Sequence, residues 1–356
     1  MRRSQQHWRR VRGFLNRRRH ELSRAAADLY PRSWHVAGTP LLARPPWRPA
    51  APVPLDRVAL AWHPGPQPQG VDGTGPEAAA ALPLREDASR FGCYAAALGA
   101  LNPPRLFEDR ACYRLLSAAA APGTASLGFG EGRYFQVINT CEAVAHEYAA
   151  AVLAARDPAR PPTLDELPLR SLIGDPTDLG RRPVMTAICT LVLRADHASG
   201  RAAMILHWRD PARVASGGGL YQVAPVGVFQ PSHDAEWNRA NDFSLWRCIV
   251  RELAEELLGG VAVVVLAADM LTVAVFDADL IDATFSGLVR ANDEGRIVAG
   301  DGPAGAAAGV AFEAGNIERF AATEPMQPAG AALLRAAWAH RDTLLAAEPP
   351  SSERTR

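Results

Sequence analysis

Lysine is absent from this chain of 356 residues, in which all 38 basic side chains are arginines. Without a lysine amine, a lysine Schiff-base enzyme, a P-loop whose lysine reaches the phosphates and a protein kinase with its catalytic lysine are all excluded. Any phosphate chemistry in this protein therefore depends on arginine or on a metal ion.

Cysteine and long apolar runs are also scarce. The five cysteines form no CxxC pair and have no histidine at a zinc-finger spacing, which excludes a disulfide framework and a structural zinc site. The most apolar stretch, residues 261–276, is interrupted by Asp269 and is too short to span a bilayer. No apolar segment follows the N-terminal arginines, so we predict a cytoplasmic protein without a membrane partner.

The formal net charge of zero conceals two charge systems. The first 60 residues carry 13 arginines and three acidic residues, so the remaining 296 residues carry 25 arginines and 35 acidic residues. A basic arm on an acidic body binds a polyanion such as nucleic acid or folds back onto that body. The high content of Ala, Arg, Gly and Pro is typical of a high-GC genome.

The basic arm has the periodicity of one long amphipathic helix. Apolar residues recur at helical intervals from residue 4 to residue 29, and Pro31 ends the pattern. Arginines lie between them, and we predict that they contact the phosphates of a nucleic acid. These candidate residues are Arg9, Arg10, Arg12, Arg17, Arg18 and Arg19.

The pattern along the chain divides it into five parts. Residues 1–31 are the basic helix, 32–89 a connector rich in Pro, Gly and Ala with one strand-like run at 58–62, and 347–356 a disordered tail. Residues 90–178 mix Ala-rich helical stretches with a predicted strand at 132–138. Within this part, Gly128, Gly130 and Gly132 lack the spacing of a dinucleotide-binding loop and predict a flexible turn.

Residues 179–346 have the pattern of an α+β domain, a mixed sheet flanked by helices. A hairpin is predicted from 184–193 and 202–208, followed by an apolar run at 220–229 and a helix at 242–258. Strands at 261–266 and 271–276 and helices at 279–291 and 329–345 complete the prediction.

The most informative stretch is RELAEELLG, residues 251–259. On a helix, Glu255 and Glu256 lie about 60° and about 40° to either side of Glu252, so the three carboxylates share one face. Close carboxylates repel one another unless a cation lies between them, and hard oxygen ligands suit Mg²⁺ or Mn²⁺. Arg251 is placed to orient the carboxylates or to touch phosphate.

Arg251, Glu252, Glu255 and Glu256 match the box of the Nudix hydrolases position by position, so residues 180–345 resemble that superfamily. The resemblance implies a metal-dependent hydrolase that cleaves a nucleoside diphosphate linked to another moiety. In that case the three glutamates bind Mg²⁺ or Mn²⁺, and the ligand is nucleotide-like. Asp242 is a further candidate metal ligand, and Gly227 and Glu313 are candidate substrate-binding residues.

The loop before this helix departs from the family's pattern. The family's opening glycine would fall at Trp237, whereas the nearest candidate, Gly227, lies about ten residues earlier. Gly259 is one position late, and Phe243 stands where the family has an acid. An alternative function is therefore a catalytically inactive, Nudix-derived nucleotide sensor or transcription regulator whose basic arm binds nucleic acid. In this organisation the chain resembles actinobacterial proteins linked to transcriptional regulation.

Overall fold

The structure, a computed structural model, describes residues 2–105, 107–157, 160–196, 198–214, 216–253, 271–277, 295–298 and 309–346. Glu255, Glu256, the predicted strand 261–266, the predicted helix 279–291 and the tail 347–356 lie outside the described residues. The described chain is α+β, as predicted, with an N-terminal helix and several small sheets. Among these residues, no helix combines the length and the apolar character needed to cross a membrane.

Short runs of helices and short runs of strands follow one another along the described chain. The helices are α1 (Arg2–Ala27), α2 (Tyr94–Leu101), α3 (Tyr134–Val137), α4 (Ala143–Ala154), α5 (Pro168–Ile173), α6 (Glu236–Asn241), α7 (Leu245–Leu253), α8 (Ala314–Glu318), α9 (Pro328–Ala339) and α10 (Arg341–Leu345). The strands are β1 (Val58–Trp62), β2 (Ala111–Ala121), β3 (Thr124–Arg133), β4 (Ala187–Asp196), β5 (Arg201–Met204), β6 (Leu206–Arg209), β7 (Tyr221–Val223), β8 (Val226–Val228), β9 (Leu271–Asp277), β10 (Gly295–Ile297) and β11 (Val310–Ala311).

Helix α1 confirms the predicted amphipathic helix and docks on the protein's own body. Its apolar stripe is buried, and α4 is its main neighbour. The indole Nε1 of Trp8 donates to the carbonyl of Ala81 at 2.9 Å, and Arg24 donates to the carbonyl of Ala322 at 2.8 Å. The helix therefore contacts both the connector and the C-terminal elements.

The first sheet has the strand order β1-β3-β2. Strands β2 and β3 form an antiparallel hairpin, and β1, which confirms the predicted run at 58–62, pairs with β3 in parallel. The flexible turn predicted at Gly128–Gly132 is wrong, because these glycines lie inside β3. The strand predicted at 132–138 is also wrong: β3 ends at Arg133 and α3 begins at Tyr134.

This boundary has a tertiary cause. The backbone N–H of Phe135 donates to the carboxylate of Asp109 at 2.8 Å, and the backbone N–H of Arg133 donates to Gln136 at 3.0 Å. Both contacts satisfy donors at the first turn of a helix, which would otherwise lack partners. An aromatic-rich run that resembles a strand is therefore held as a helix by a carboxylate outside that run.

The second half of the chain is built around β4. Strand β4 pairs antiparallel with β5, confirming the predicted hairpin, and also pairs with β8 and, in parallel, with β9. A small separate sheet has the order β10-β6-β7. The helix predicted at 329–345 is present as α9 and α10.

A shared core joins residues 90–178 to residues 179–346. Helix α7 buries Leu245, Ile249 and Leu253 in one cluster with side chains from the first sheet and from the sheet of β4, among them Tyr113 of β2 and Ile188 of β4. Alternate residues of β4 enter a second cluster beneath α9. Since successive side chains of a strand point to opposite faces, β4 is covered on both sides.

Candidate functional site

Helix α7 carries the first half of the predicted metal-binding motif. It begins later than the predicted residue 242. The backbone carbonyl of Ser244 accepts a hydrogen bond from the N–H of Cys248, and Leu245 is the first helical residue. The side chains of Leu245, Cys248, Ile249 and Leu253 are buried. This apolar stripe fixes the rotation of the helix, and therefore the direction in which Glu252 points.

Two predicted site residues meet at the end of α7. The carboxyl group of Glu252 lies over Gly227 of β8, in the space that a Cβ at position 227 would occupy. The Glu252 side chain is 13% exposed. A glycine in a strand permits such close approach of another group, and here it forms a cradle for one carboxylate.

Arg251 holds this carboxylate from the side. Its Nη2 donates to Oε1 of Glu252 at 3.3 Å and to the carbonyl of Gln230 at 3.1 Å. The guanidinium therefore connects the carboxylate to the chain segment that follows β8. The orienting role of Arg251 stays a prediction.

Asp242 has a different environment from Glu252. Its Oδ2 accepts hydrogen bonds from the backbone N–H and the hydroxyl of Ser232, at 2.8 and 2.6 Å, and from Asn238 at 3.1 Å; Oδ1 accepts from Asn241 at 3.0 Å. Burial alone would raise the pKa of this carboxyl group, but these hydrogen bonds lower it below its usual range. Asp242 therefore closes the loop before α7.

The structure does not bring Asp242 to Glu252. Asp242 precedes α7 and contacts Ser232, whereas Glu252 lies near the end of α7 and contacts Gly227. Eight residues of helix from Ser244 to Glu252 correspond to about 12 Å along the axis. The hydrogen-bond partners of Asp242 are Ser232, Asn238 and Asn241, and its role as a metal ligand stays a prediction.

Glu313 is remote as well. It is exposed, lies two residues after β11, and accepts a hydrogen bond from Asn316 of α8 at 3.3 Å. Strand β11 pairs with β5, whereas β8 pairs with the opposite end of β4. Gly227 and Glu313, both predicted to bind substrate, are thus at opposite ends of the sheet.

Of the three glutamates predicted to bind a metal, Glu252 alone lies in the described part of the chain. Within that part, no three His, Cys, Asp or Glu side chains converge as a metal site. Glu255 and Glu256 lie outside it. The carboxylate of Glu252 fits a hard cation, because it is positioned by Gly227 and Arg251 and remains partly exposed.

The arginines predicted to bind nucleic acid fall into two groups. Arg12 and Arg19 are buried and form ion pairs with Glu142, which also accepts the hydroxyl of Ser216 at 2.7 Å. Burial would raise the pKa of Glu142, but Arg19 and Arg12 lower it well below its usual range. These two arginines are therefore committed to an internal carboxylate that the sequence analysis did not single out.

The other four predicted arginines are exposed. Arg18 pairs with Glu21 on the same helix, and Nε of Arg9 donates to the carbonyl of Leu101 at 3.0 Å. Among the described residues, Arg9, Arg10 and Arg17 have no acidic partner. These three side chains remain available on the surface of α1.

No protein-family model matches this sequence, and no curated protein is detectably similar to it.

Proposed function

We propose that this protein is a divalent-metal-dependent hydrolase of a nucleoside diphosphate linked to another moiety, as in the Nudix superfamily. The observation that carries this proposal is the Glu252 carboxylate, which is held in the cradle of Gly227 and contacted by Arg251. The resemblance to that superfamily depends on residues 251–256. Gly227 lies 25 positions earlier in the chain and still contacts the motif's first glutamate.

Each residue has a distinct part in this proposal. A bound Mg²⁺ or Mn²⁺ supplies charge neutralisation at the diphosphate and lowers the pKa of an attacking water. Glu252, together with Glu255 and Glu256 on the same predicted helix, holds the ion. Arg251 keeps the Glu252 carboxylate in one orientation, and its link to Gln230 ties this end of α7 to the chain segment after β8.

The direct test is turnover with Mn²⁺ of ADP-ribose, dinucleoside polyphosphates and nucleoside triphosphates. We expect hydrolysis of at least one of them, and a loss on the order of 100-fold in kcat/KM for Glu252→Gln and Glu256→Gln. Glu313→Gln is the matched control, because Glu313 is exposed and remote. Equal activity of the wild type and Glu256→Gln would show that another site performs the reaction.

A second function, nucleotide sensing coupled to nucleic-acid binding through α1, is favoured by one observation. Arg9, Arg10 and Arg17 are exposed on a helix whose opposite face is buried in the protein. Several exposed guanidinium groups on one helix suit the phosphates of a nucleic acid. We propose this surface, without Arg12 and Arg19, as the nucleic-acid contact.

Gel-shift assays with duplex DNA at two salt concentrations test this second function. The triple variant Arg9→Gln, Arg10→Gln, Arg17→Gln should bind more weakly and reduce the slope of log K against log salt by about three. The control is Arg57→Gln, an exposed arginine outside α1. If the triple variant and the control bind alike, α1 is not the contact.

A further inference from the structure

One face of strand β3 carries only glycine in its second half. Gly128, Gly130 and Gly132 alternate with Phe129 and Glu131, so the three glycines lie on the same face. Phe129 on the other face belongs to the core beneath α7. The glycine face therefore points away from α7 and from the proposed metal centre.

Polar side chains lie directly on this glycine face. A Cβ at Gly128 would overlap Ser117 and would stand 2.8 Å from Nε2 of His63, and a Cβ at Gly130 would overlap the amide of Gln67. Ser117 reaches this face because the pairing of β2 with β3 is irregular between Leu115 and Ser117. Such a bulge changes the direction of the side chains that follow it.

Arg114 is the charged member of this group. It lies opposite Gly130 in the β2–β3 ladder, and a Cβ at Gly132 would stand 2.9 Å from the Cβ of Arg114. Its neighbours Tyr113 and Leu115 enter the core beneath α7. Arg114 therefore extends from the opposite face of β2, the glycine face.

The side chain of Arg114 is largely buried. The residue is 5% exposed, and neither Nε nor Nη2 has a hydrogen-bond partner among the described residues. Burial lowers its pKa, and no acidic group in that part of the chain acts against this effect. The buried arginines of α1 differ, because Arg12 and Arg19 share the carboxylate of Glu142.

A buried guanidinium without a counter-ion is costly, since it has lost its water and gained no opposite charge. We propose that Arg114 binds the oxyanion of a small molecule, a phosphate or a carboxylate, on the glycine face of β3. The planar guanidinium donates two parallel hydrogen bonds to such a group. His63 and Ser117 are exposed and Gln67 is half-buried, so these side chains would contact the rest of the ligand.

The test uses the full-length protein and two probes, inorganic phosphate and acetate, each compared with chloride at equal ionic strength. We expect at least one oxyanion to raise the melting temperature and to bind with one-to-one stoichiometry in calorimetry. A stronger response to phosphate identifies a phosphorylated ligand, and a stronger response to acetate identifies a carboxylate. A wild type that responds to neither probe beyond the effect of chloride overturns the proposal.

Arg114→Met removes the charge at similar volume and should weaken binding at least tenfold, while Arg57→Met serves as the exposed control. If Arg114→Met does not fold, Ser117→Ala and Gln67→Ala are compared, each of which should weaken binding severalfold. Binding by Arg114→Met, or by both substitutes, with wild-type affinity would mean an adventitious ion only. Glu252→Gln should bind the oxyanion with unchanged affinity. A negative result in the hydrolysis test therefore does not affect the test of oxyanion binding.

Discussion

The carboxyl group of Glu252 occupies the space in which a side chain at position 227 would stand, so a residue of α7 and a glycine of β8 fit together as one unit. Gly227 lies in an ordinary strand and has no positive φ. The requirement for glycine at this position is therefore steric, and the atoms nearest to a Cβ there belong to Glu252.

Gly227→Ala should therefore displace Glu252. Overpacking of this kind costs about 1–3 kcal/mol of stability, and under the proposed function it should also reduce metal-dependent turnover. Urea unfolding and Mn²⁺-dependent hydrolysis measure the two effects. Gly92→Ala is the control, because a Cβ at Gly92 would have no neighbour within 4 Å. A Gly227→Ala variant with the stability of the wild type would contradict the close contact.

Asp242→Asn tests whether Asp242 stabilises the loop before α7 or binds a metal ion. The substitution removes the charge that accepts hydrogen bonds from Ser232, Asn238 and Asn241, and hydrogen bonds to charged groups contribute about 1.5–3 kcal/mol. We expect a loss of stability in this range and unchanged affinity for Mn²⁺ in a calorimetric titration. A large loss of Mn²⁺ affinity with unchanged stability would show that Asp242 is a ligand.

Glu142→Gln should be much more destabilising than the loss of a surface ion pair. The substitution removes the carboxylate that the buried Arg12 and Arg19 share, and removing one partner of a buried ion pair costs about 3–5 kcal/mol. Glu21→Gln is the matched control, because its pair with Arg18 is exposed and contributes less than about 1 kcal/mol. Chemical denaturation at pH 7 measures the free energy of unfolding of both variants. Similar losses would refute the buried triad of Glu142, Arg12 and Arg19.

The same triad predicts a dependence on acid. The pKa of Glu142 is lowered in the folded protein, so its contribution to stability is complete above the usual carboxyl pKa of about 4.5 and declines as the pH falls below it. The stability difference between the wild type and Glu142→Gln should therefore shrink from pH 5 downward. A difference that stays constant from pH 5 to pH 3 would contradict the ionised, buried carboxylate.

Local patterns predicted those parts of the fold that local interactions determine. The helical spacing of Trp8, Val11 and Leu15 predicted α1 and its buried face, and the strands β1 and β9 lie where their apolar runs are. The partner of that face did not follow from spacing, because Glu142 is one of 18 glutamates and only the fold brings it to Arg12 and Arg19.

The site shows the same division between local and tertiary information. The motif at residues 251–256 contains Arg251 and Glu252, whose side chains contact each other. Neither the loop clamp of Asp242 nor the distance of Glu313 from Gly227 could be read from spacing, since both depend on strand pairing. The glycines at 128, 130 and 132 predict a turn from local sequence alone. They lie in a strand instead, and their neighbours on the sheet face, such as Gln67, come from distant parts of the chain.

Because of His146, the stability of the protein should fall as the pH decreases from neutral to mildly acidic. Burial, together with the nearby Arg12, lowers its pKa from 6.5 to about 3. The ring stacks on Trp8 with 5.1 Å between centroids, and its Nδ1 lies 3.2 Å from the hydroxyl of Tyr94. Because the folded protein holds this histidine neutral, the unfolded chain binds the additional proton below pH 6.5, and stability falls as the pH decreases toward 3.

His146→Phe keeps an aromatic ring beside Trp8 and removes the titrating group. One pKa unit corresponds to about 1.4 kcal/mol, so wild-type stability should fall by up to about 2 kcal/mol from pH 6.5 to pH 5 through this residue alone. Urea unfolding at several pH values should show a smaller slope for His146→Phe and an unchanged slope for His233→Phe, an exposed control. Equal slopes for the wild type and His146→Phe would mean that this histidine is protonated in the folded protein or reaches water.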